Sequence, residues 1–199
     1  MKKIILTVAA VFAFGFANAQ DKKEDSGAGF SNGDAYISGS FGINSTNDKN
    51  TDIKTNGFDI SPTVGYFFTD NIALGARIGF SSDKTDNSGT TTSDDSTLSA
   101  GLFGRYYFTP ASQFSVFTEL GADYVTAKDK ISNVKANGFG VNVSLGLNYF
   151  VSDNFAIEAT YAGLNYASAK VDLPGAKNVS AFSLGGNLSS VSIGLLYKF

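Results

Sequence analysis

Three carboxylates are the side chains of this sequence best suited to catalysis. Glu119, Asp123 and Glu158 fall on the polar faces of alternating segments, and paired carboxylates can act as general acid and base in a hydrolase. Glu119 and Asp123 share a face but lie at different depths along it. The chain contains no histidine, so the most common partner of a catalytic serine or aspartate is missing. We therefore expect no catalytic residues and no enzyme activity.

Two arginines share the polar face with these carboxylates. An isolated charge on an enclosed face is costly, so Arg77 and Arg105 are expected to pair with Glu119 and Glu158. Arg105 and Glu119 flank the short connection 109–113. Their spacing predicts a diagonal contact across a hairpin, within the reach of long side chains. The candidate site is therefore an interior charge network of these four residues.

Other binding chemistry has little support in the sequence. The segment 81–97 carries four aspartates, but it lacks the spacing of a calcium loop and Lys84 interrupts it, so we expect a solvated surface loop. No phosphate-binding G-x-x-x-x-G-K-[ST] motif is present. The net charge is −3, with basic and acidic residues interspersed, and nucleic-acid binding has no basic stripe to support it. No metal, cofactor or nucleic-acid partner is predicted. The four aspartates are Asp83, Asp86, Asp94 and Asp95.

Eight segments alternate apolar and polar residues with the period of a β-strand. The sixth is the clearest, and the last ends the chain. The apolar faces are aromatic at both ends and aliphatic in the middle, as in two interfacial girdles around a hydrocarbon band. The opposite faces carry hydroxyls, amides, glycines and charges. The apolar residues of these two segments are Phe139, Val141, Val143, Leu145, Leu147 and Tyr149, and Val191, Ile193, Leu195, Tyr197 and Phe199.

Two strands depart from regular alternation. In the seventh, the phase slips after Tyr161, which predicts a bulge near Gly163. In the second, Pro62 lies on the apolar face and lacks a backbone N–H, which puts the local pairing of that strand in doubt.

The connections alternate in length. Residues 69–71, 109–113 and 152–154 are short, whereas four polar segments between them are long: 44–57, 81–97, 126–138 and 167–183. Short turns at one end and long loops at the other are typical of outer-membrane barrels. Residues 66–74 and 149–157 also echo each other, so one hairpin design is used twice.

The N-terminal residues carry targeting signals. Two lysines, a short apolar run and Ala17-Asn18-Ala19 predict a signal peptide over residues 1–19, cleaved after Ala19. Residues 20–33 are charged and rich in glycine and serine, so a flexible lead-in is expected. Residues 34–199 would form the β-barrel. The chain has no cysteine, which excludes a lipid anchor on cysteine and a disulfide scaffold.

The signal peptide, the eight alternating strands and the terminal Phe199 together resemble the small bacterial outer-membrane β-barrel family of the OmpA/OmpX type, with OmpW-like relatives. The resemblance covers nearly all of the mature chain. It implies an eight-stranded antiparallel transmembrane barrel in the bacterial outer membrane, surrounded by lipid and monomeric. It also implies that the barrel-assembly machinery recognises the C-terminal strand through Tyr197 and Phe199.

Three roles are compatible with these features. The favoured one is structural or surface-interactive, with the interior charges forming a plug of ion pairs, because eight strands leave an interior just wide enough for side chains. A gate or polar binding site is the alternative for those charges. The alternative for the whole protein is a narrow, porin-like channel for small solutes or hydrophobic compounds, as OmpW-like relatives suggest. A soluble ligand-binding barrel, with its apolar faces turned inward, is a remote third.

Overall fold

The computed structural model describes residues 27–185 and 191–199, and its regular structure there is entirely β. The described residues include no helix that could span a bilayer. The strands are β1 Ala35–Asp48, β2 Ile53–Phe67, β3 Ile72–Asn87, β4 Thr90–Tyr107, β5 Phe114–Asp129, β6 Lys135–Phe150, β7 Phe155–Val171, β8 Val179–Leu184 and β9 Val191–Lys198.

The strands close into a barrel with eight positions around its wall. Each of β1 to β7 pairs antiparallel with the next, and β9 pairs with both β7 and β1. β8 and β9 lie end to end along β7: β9 pairs with residues 155–161 and β8 with residues 164–169. They therefore share the eighth position, and the predicted eight-stranded antiparallel barrel is confirmed.

The four predicted long loops are mostly extensions of the barrel strands. The β1–β2 ladder continues to the pair Asp48 and Ile53, and the β3–β4 ladder to Asn87 and Thr90. The alternation of apolar and polar residues ends earlier, because neither face has to be apolar beyond the hydrocarbon band. Backbone pairing does not depend on that alternation, so the hairpins continue as polar ribbons with short tips.

The bulge predicted near Gly163 is confirmed. Val143 and Ser144 are consecutive on β6, but their partners on β7 are Leu164 and Ala162. Gly163 is the extra residue between them, which accounts for the slipped phase of the sequence.

Pro62 interrupts the wall as its missing N–H predicts. The β2–β3 ladder runs through Ile60 and Phe80, stops, and resumes at Thr63 and Arg77. The β1–β2 ladder on the other side of β2 stays continuous through Pro62. The interruption therefore affects one neighbour only, which is how a proline is tolerated inside a sheet.

The apolar faces of the strands point outward, as the girdle pattern predicts. Large apolar side chains are exposed around the whole wall, including Leu102 at 69 % and Ile193 at 66 %. Such a continuous apolar surface requires lipid around it. The buried apolar cluster lies inside the barrel, at the end where the turns are short.

Candidate functional site

The interior of the barrel has three layers. From the long-hairpin end to the short-turn end, they are a polar cavity, a layer of buried charges and a layer of aromatic rings. The strand register produces these layers. Inward residues that are cross-strand partners, or close to being partners, lie at the same height in the barrel and therefore contact one another.

The polar cavity has a volume of about 390 Å³ and a lining of hydroxyls, amides and backbone. Its floor consists of the charged side chains of the second layer. Its polar side chains can hold water or a small polar solute. Those above the floor include Ser40, Ser61, Thr63, Ser99, Asn142, Ser144, Thr160, Asn165 and Ser192.

Arg105 is the centre of the charge layer. It lies directly opposite Glu119 in the β4–β5 ladder, not diagonally as the spacing had predicted, and its Nε donates to Glu119 Oε2 over 2.7 Å. Its Nη1 and Nη2 donate to the two oxygens of Glu158 over 2.6 and 3.1 Å. Arg105 and Glu119 are 4 % and 3 % exposed. One buried guanidinium thus links carboxylates from β5 and β7.

Arg77 extends the same layer from β3. Its Nη1 donates to Glu119 Oε1 over 2.5 Å, and its Nε and Nη2 donate to the two oxygens of Asp123 over 2.7 and 2.6 Å. Asn142 Nδ2 also donates to Asp123. The Arg77–Asp123 pair crosses β4 above Gly101, which is the register partner of both residues. A Cβ at Gly101 would collide with the Asp123 carboxylate and would lie 2.6 Å from the backbone oxygen of Ala122, so this position requires glycine.

The structure thus brings the four predicted residues into one network and adds Asp123, which the sequence had indicated only as a candidate catalytic group. Glu119 bridges the two arginines, with one oxygen for each. Each of the three carboxylates accepts hydrogen bonds from an arginine. Such charge-assisted hydrogen bonds are strong, and they fix the relative positions of the paired side chains. The layer sums to one net negative charge and is suited to filling and fixing the interior.

Aromatic rings enclose the Arg105 guanidinium. Its Cζ lies 4.3 Å from the ring centre of Phe117, 5.0 Å from that of Phe103 and 5.6 Å from that of Tyr36. Cation–π attraction stabilises a desolvated guanidinium in this position. The charge layer and the aromatic layer are therefore in direct contact.

The aromatic layer fills the barrel at the short-turn end. Phe67, Tyr107, Phe117 and Phe150 have no exposed surface, and Tyr36 is 2 % exposed. The outward rings at this end follow from the apolar faces of the strands, whereas the inward rings were not predicted. Their signal is parity: Tyr66-Phe67-Phe68 and Tyr106-Tyr107-Phe108 place outer rings outward and the middle ring inward.

Phe30 completes this layer from outside the barrel strands. Its ring centre lies 4.6 Å from that of Phe67, 4.9 Å from that of Phe150 and 5.1 Å from that of Tyr107, and it is 1 % exposed. The structure therefore differs, in residues 27–33, from the flexible lead-in predicted for residues 20–33. Burial of the Phe30 ring among other aromatic rings stabilises this segment enough to order it, although most of its other residues are polar or glycine. Residues 20–26 and the predicted signal peptide, including Ala19, lie outside the described residues.

The C-terminal residues divide between the two faces of the wall. Lys198 points inward and is 1 % exposed, and its Nζ donates to Gly29 O over 2.6 Å and to Gly27 O over 3.3 Å. The ring of Tyr197 is on the outer face, 5.1 Å from that of Phe199. Both rings lie at the short-turn end. Their role as an assembly signal remains a prediction.

Within the described residues, no group of three or more histidine, cysteine, aspartate or glutamate side chains is arranged to hold a metal ion.

Comparison with known proteins places this architecture in a family. The model of the outer membrane protein beta-barrel domain family matches residues 6–199, and no curated protein matches the sequence. Among solved structures, the outer membrane protein OprG from Pseudomonas aeruginosa is similar at 18 % identity and a TM-score of 0.55. The match covers 86 % of this chain and 98 % of OprG.

A second solved structure is similar at a lower score. Neisserial surface protein A matches at 19 % identity and a TM-score of 0.48, over 83 % of this chain and 96 % of that one. At 18 % identity, OprG bears on the fold alone. The family match spans nearly the whole sequence, and this chain therefore belongs to the outer membrane protein beta-barrel domain family and is located in the bacterial outer membrane.

Proposed function

We propose that this protein is a structural barrel that does not conduct, and that it presents its long hairpins at the cell surface. The observation that carries the proposal is the filling of the interior by two consecutive layers. A solute entering from the polar cavity would meet Arg105 and its carboxylates, and then four rings with no exposed surface. The same pairing of the carboxylates supports a role without catalysis.

Energetics favour a static interior over a gate. Separating Arg105 from Glu119 and Glu158 would leave buried charges without partners, and each such charge costs several kcal/mol. The rings below are fully buried, and in a close-packed interior large rings move little unless the strands around them also move. Opening by side-chain motion alone is therefore unfavourable.

The long hairpins support the surface role. Their polar ends project beyond the apolar band, and two of them are tied together. Lys130, immediately after β5, donates through Nζ to Asp94 Oδ1 on β4 over 2.5 Å, and its backbone N–H donates to Asp94 O over 2.8 Å. The longer loops of outer-membrane barrels are extracellular, which supports an external position for these hairpins, where a partner would meet a hydrogen-bonded surface.

A narrow channel is the second candidate, because one observation favours it. The ladder between β1 and β9 ends at Ser40 and Gly194. Around that point, Ser38, Gly39 and Ser40 line both the polar cavity and an apolar groove of about 340 Å³ on the lipid-facing wall. A hydrophobic solute could leave sideways there without crossing the aromatic layer.

Solute entry into cells with and without this protein separates the two candidates, because they predict opposite signs. If the protein is structural, its removal should leave the entry of a small sugar and of a hydrophobic dye unchanged or faster. If it is a channel, its removal should slow one of them. Slower entry that wild-type protein restores would contradict our proposal.

Two glycine variants sharpen this comparison. Gly39 lines the groove, and a Cβ at this position would make only ordinary contacts. Gly104 also points outward, but it faces Leu74 on another part of the wall. Gly39→Leu should block a sideways path, and Gly104→Leu is the matched control. The structural proposal predicts that cells carrying either variant admit both solutes like wild type.

A further inference from the structure

Residues 27–33 are attached to the short-turn end at three separate points. Phe30 N–H donates to Pro110 O over 2.7 Å, and Gly33 N–H donates to Phe67 O over 2.9 Å. Asn32 N–H donates to Asp70 Oδ1 over 3.2 Å. The three acceptors belong to the β4–β5 turn, the end of β2 and the β2–β3 turn. The segment is therefore docked on one side of the barrel mouth.

The backbone of this segment is shaped for close approach. Gly29 has a φ of +122°, and a Cβ there would lie 2.6 Å from the carbonyl carbon of Ala111. Only glycine allows both the conformation and the contact. Phe30 is the next residue, and its ring lies in the aromatic layer. The close backbone contact at Gly29 therefore positions the Phe30 ring inside the short-turn end of the barrel.

Lys198 binds the same segment from inside the barrel. Its Nζ donates to the carbonyls of Gly27 and Gly29, lies 3.9 Å from Asp34 Oδ2, and stands 5.5 Å from the ring centre of Phe150. A buried ammonium is costly without acceptors. Two of its acceptors are backbone carbonyls of residues that would leave if the segment undocked, so lysine and segment stabilise each other's position.

From these contacts we propose that residues 27–33 form a docked stopper, which is the last closure of the barrel, and that the ion pairs above it are a separate closure in series. This inference rests on the proposed non-conducting function. Removing the charge layer alone should leave the barrel shut. Only displacing the stopper as well should join the polar cavity to the periplasm.

Disulfide cross-linking tests the docking directly, since the chain has no cysteine of its own. Asn32→Cys with Asp70→Cys should form an internal disulfide in high yield on mild oxidation in membranes. Asn32→Cys with Asp153→Cys is the matched control, because 66–74 and 149–157 echo each other and Asp153 occupies the equivalent turn position. Equal yields from the two pairs would overturn the docked stopper.

Conductance in a planar bilayer tests the two closures. R105A/E119A/E158A removes three buried charges together and leaves the Arg77–Asp123 pair intact. With Phe30→Asp added, a charge in the aromatic pocket should expel the stopper, and steady conductance should appear. With Phe30→Leu added instead, the pocket stays apolar and conductance should stay at the baseline.

The outcomes separate this inference from the proposed function. The decisive variant combines R105A/E119A/E158A with Phe30→Asp and also carries the cysteines at positions 32 and 70. If it forms no 32–70 disulfide and still does not conduct, the barrel closes without the stopper, and the inference alone is overturned. A conducting wild type would overturn the non-conducting function, while the cross-link yields would still decide the docking. If the charge-layer variants fail to fold, which unchanged gel mobility on boiling reveals, the cross-link pairs in the otherwise wild-type chain decide.

Discussion

At the scale of single residues, Glu119 connects the two arginines of the charge layer. Its two oxygens accept from Arg77 and Arg105, which come from β3 and β4. Parity placed these side chains inside, and the cost of isolated charge predicted that they would pair. The partners themselves depend on the register between strands, which alternation alone leaves undetermined. For that reason, the sequence did not predict that Asp123 would hold Arg77 by two hydrogen bonds.

Glu119→Ala should destabilise the barrel by about 3 kcal/mol, because it removes one partner each from two interior arginines. Glu119→Gln keeps the shape and should cost less. The measurement is the midpoint of urea unfolding in lipid vesicles.

Asp59→Ala is the control for this prediction. Asp59 lies on the inner face of β2 but is exposed, so its replacement should change stability by less than about 0.5 kcal/mol. Equal effects of Glu119→Ala and Asp59→Ala would contradict the role given to the charge layer.

At the scale of elements, the repeated hairpin has a physical reason. Asn71 Nδ2 donates to Tyr107 O, and Asn154 Nδ2 donates to Lys198 O, over 2.8 and 2.9 Å. The backbone pairing is the same too, since Tyr107 N–H donates to Asn71 O and Lys198 N–H to Asn154 O. Each echoed turn thus ties its own hairpin to the end of the neighbouring strand.

Asn71→Ala and Asn154→Ala should each lower stability by about 1 kcal/mol, the usual net value of a hydrogen bond. The double variant should show the sum, since the two turns share no partner. Asp153→Ala, in the same turn as Asn154, is the control and should fall within about 0.5 kcal/mol of wild type. Denaturant unfolding of wild type and the four variants measures this. An Asn154→Ala variant as stable as wild type would contradict the role given to the Asn154 hydrogen bond.

The strands show how far the sequence predicts elements. Strand number, short turns, the bulge at Gly163 and the interruption at Pro62 follow from alternation, parity and the missing N–H of proline. The outer ends of the strands could not be predicted in this way. Beyond the lipid both faces of each hairpin are polar, so no alternation marks where the strands end. The docking of residues 27–33 also has no periodic signal: it depends on one ring and on glycines that allow close approach.

At the scale of the whole molecule, orientation follows from the unequal ends of the barrel. The β3–β4 hairpin turns at Ser88 and Gly89, and Asp70 lies in a short turn at the opposite end. A peptide tag inserted at Gly89 should be reached by protease or antibody on intact cells. The same tag at Asp70 should be reached only after the outer membrane is permeabilised, and the reverse pattern would refute the orientation.

Closure is the property of the whole molecule on which the proposed function depends. The charge layer, the aromatic layer and Phe30 together fill the interior at one end. The conductance of the purified wild-type protein in a planar lipid bilayer tests this closure most directly. We predict no steady conductance above that of the bare membrane. A steady, reproducible conductance from protein whose gel mobility shifts on boiling, as a folded barrel's does, would contradict the account and favour the channel.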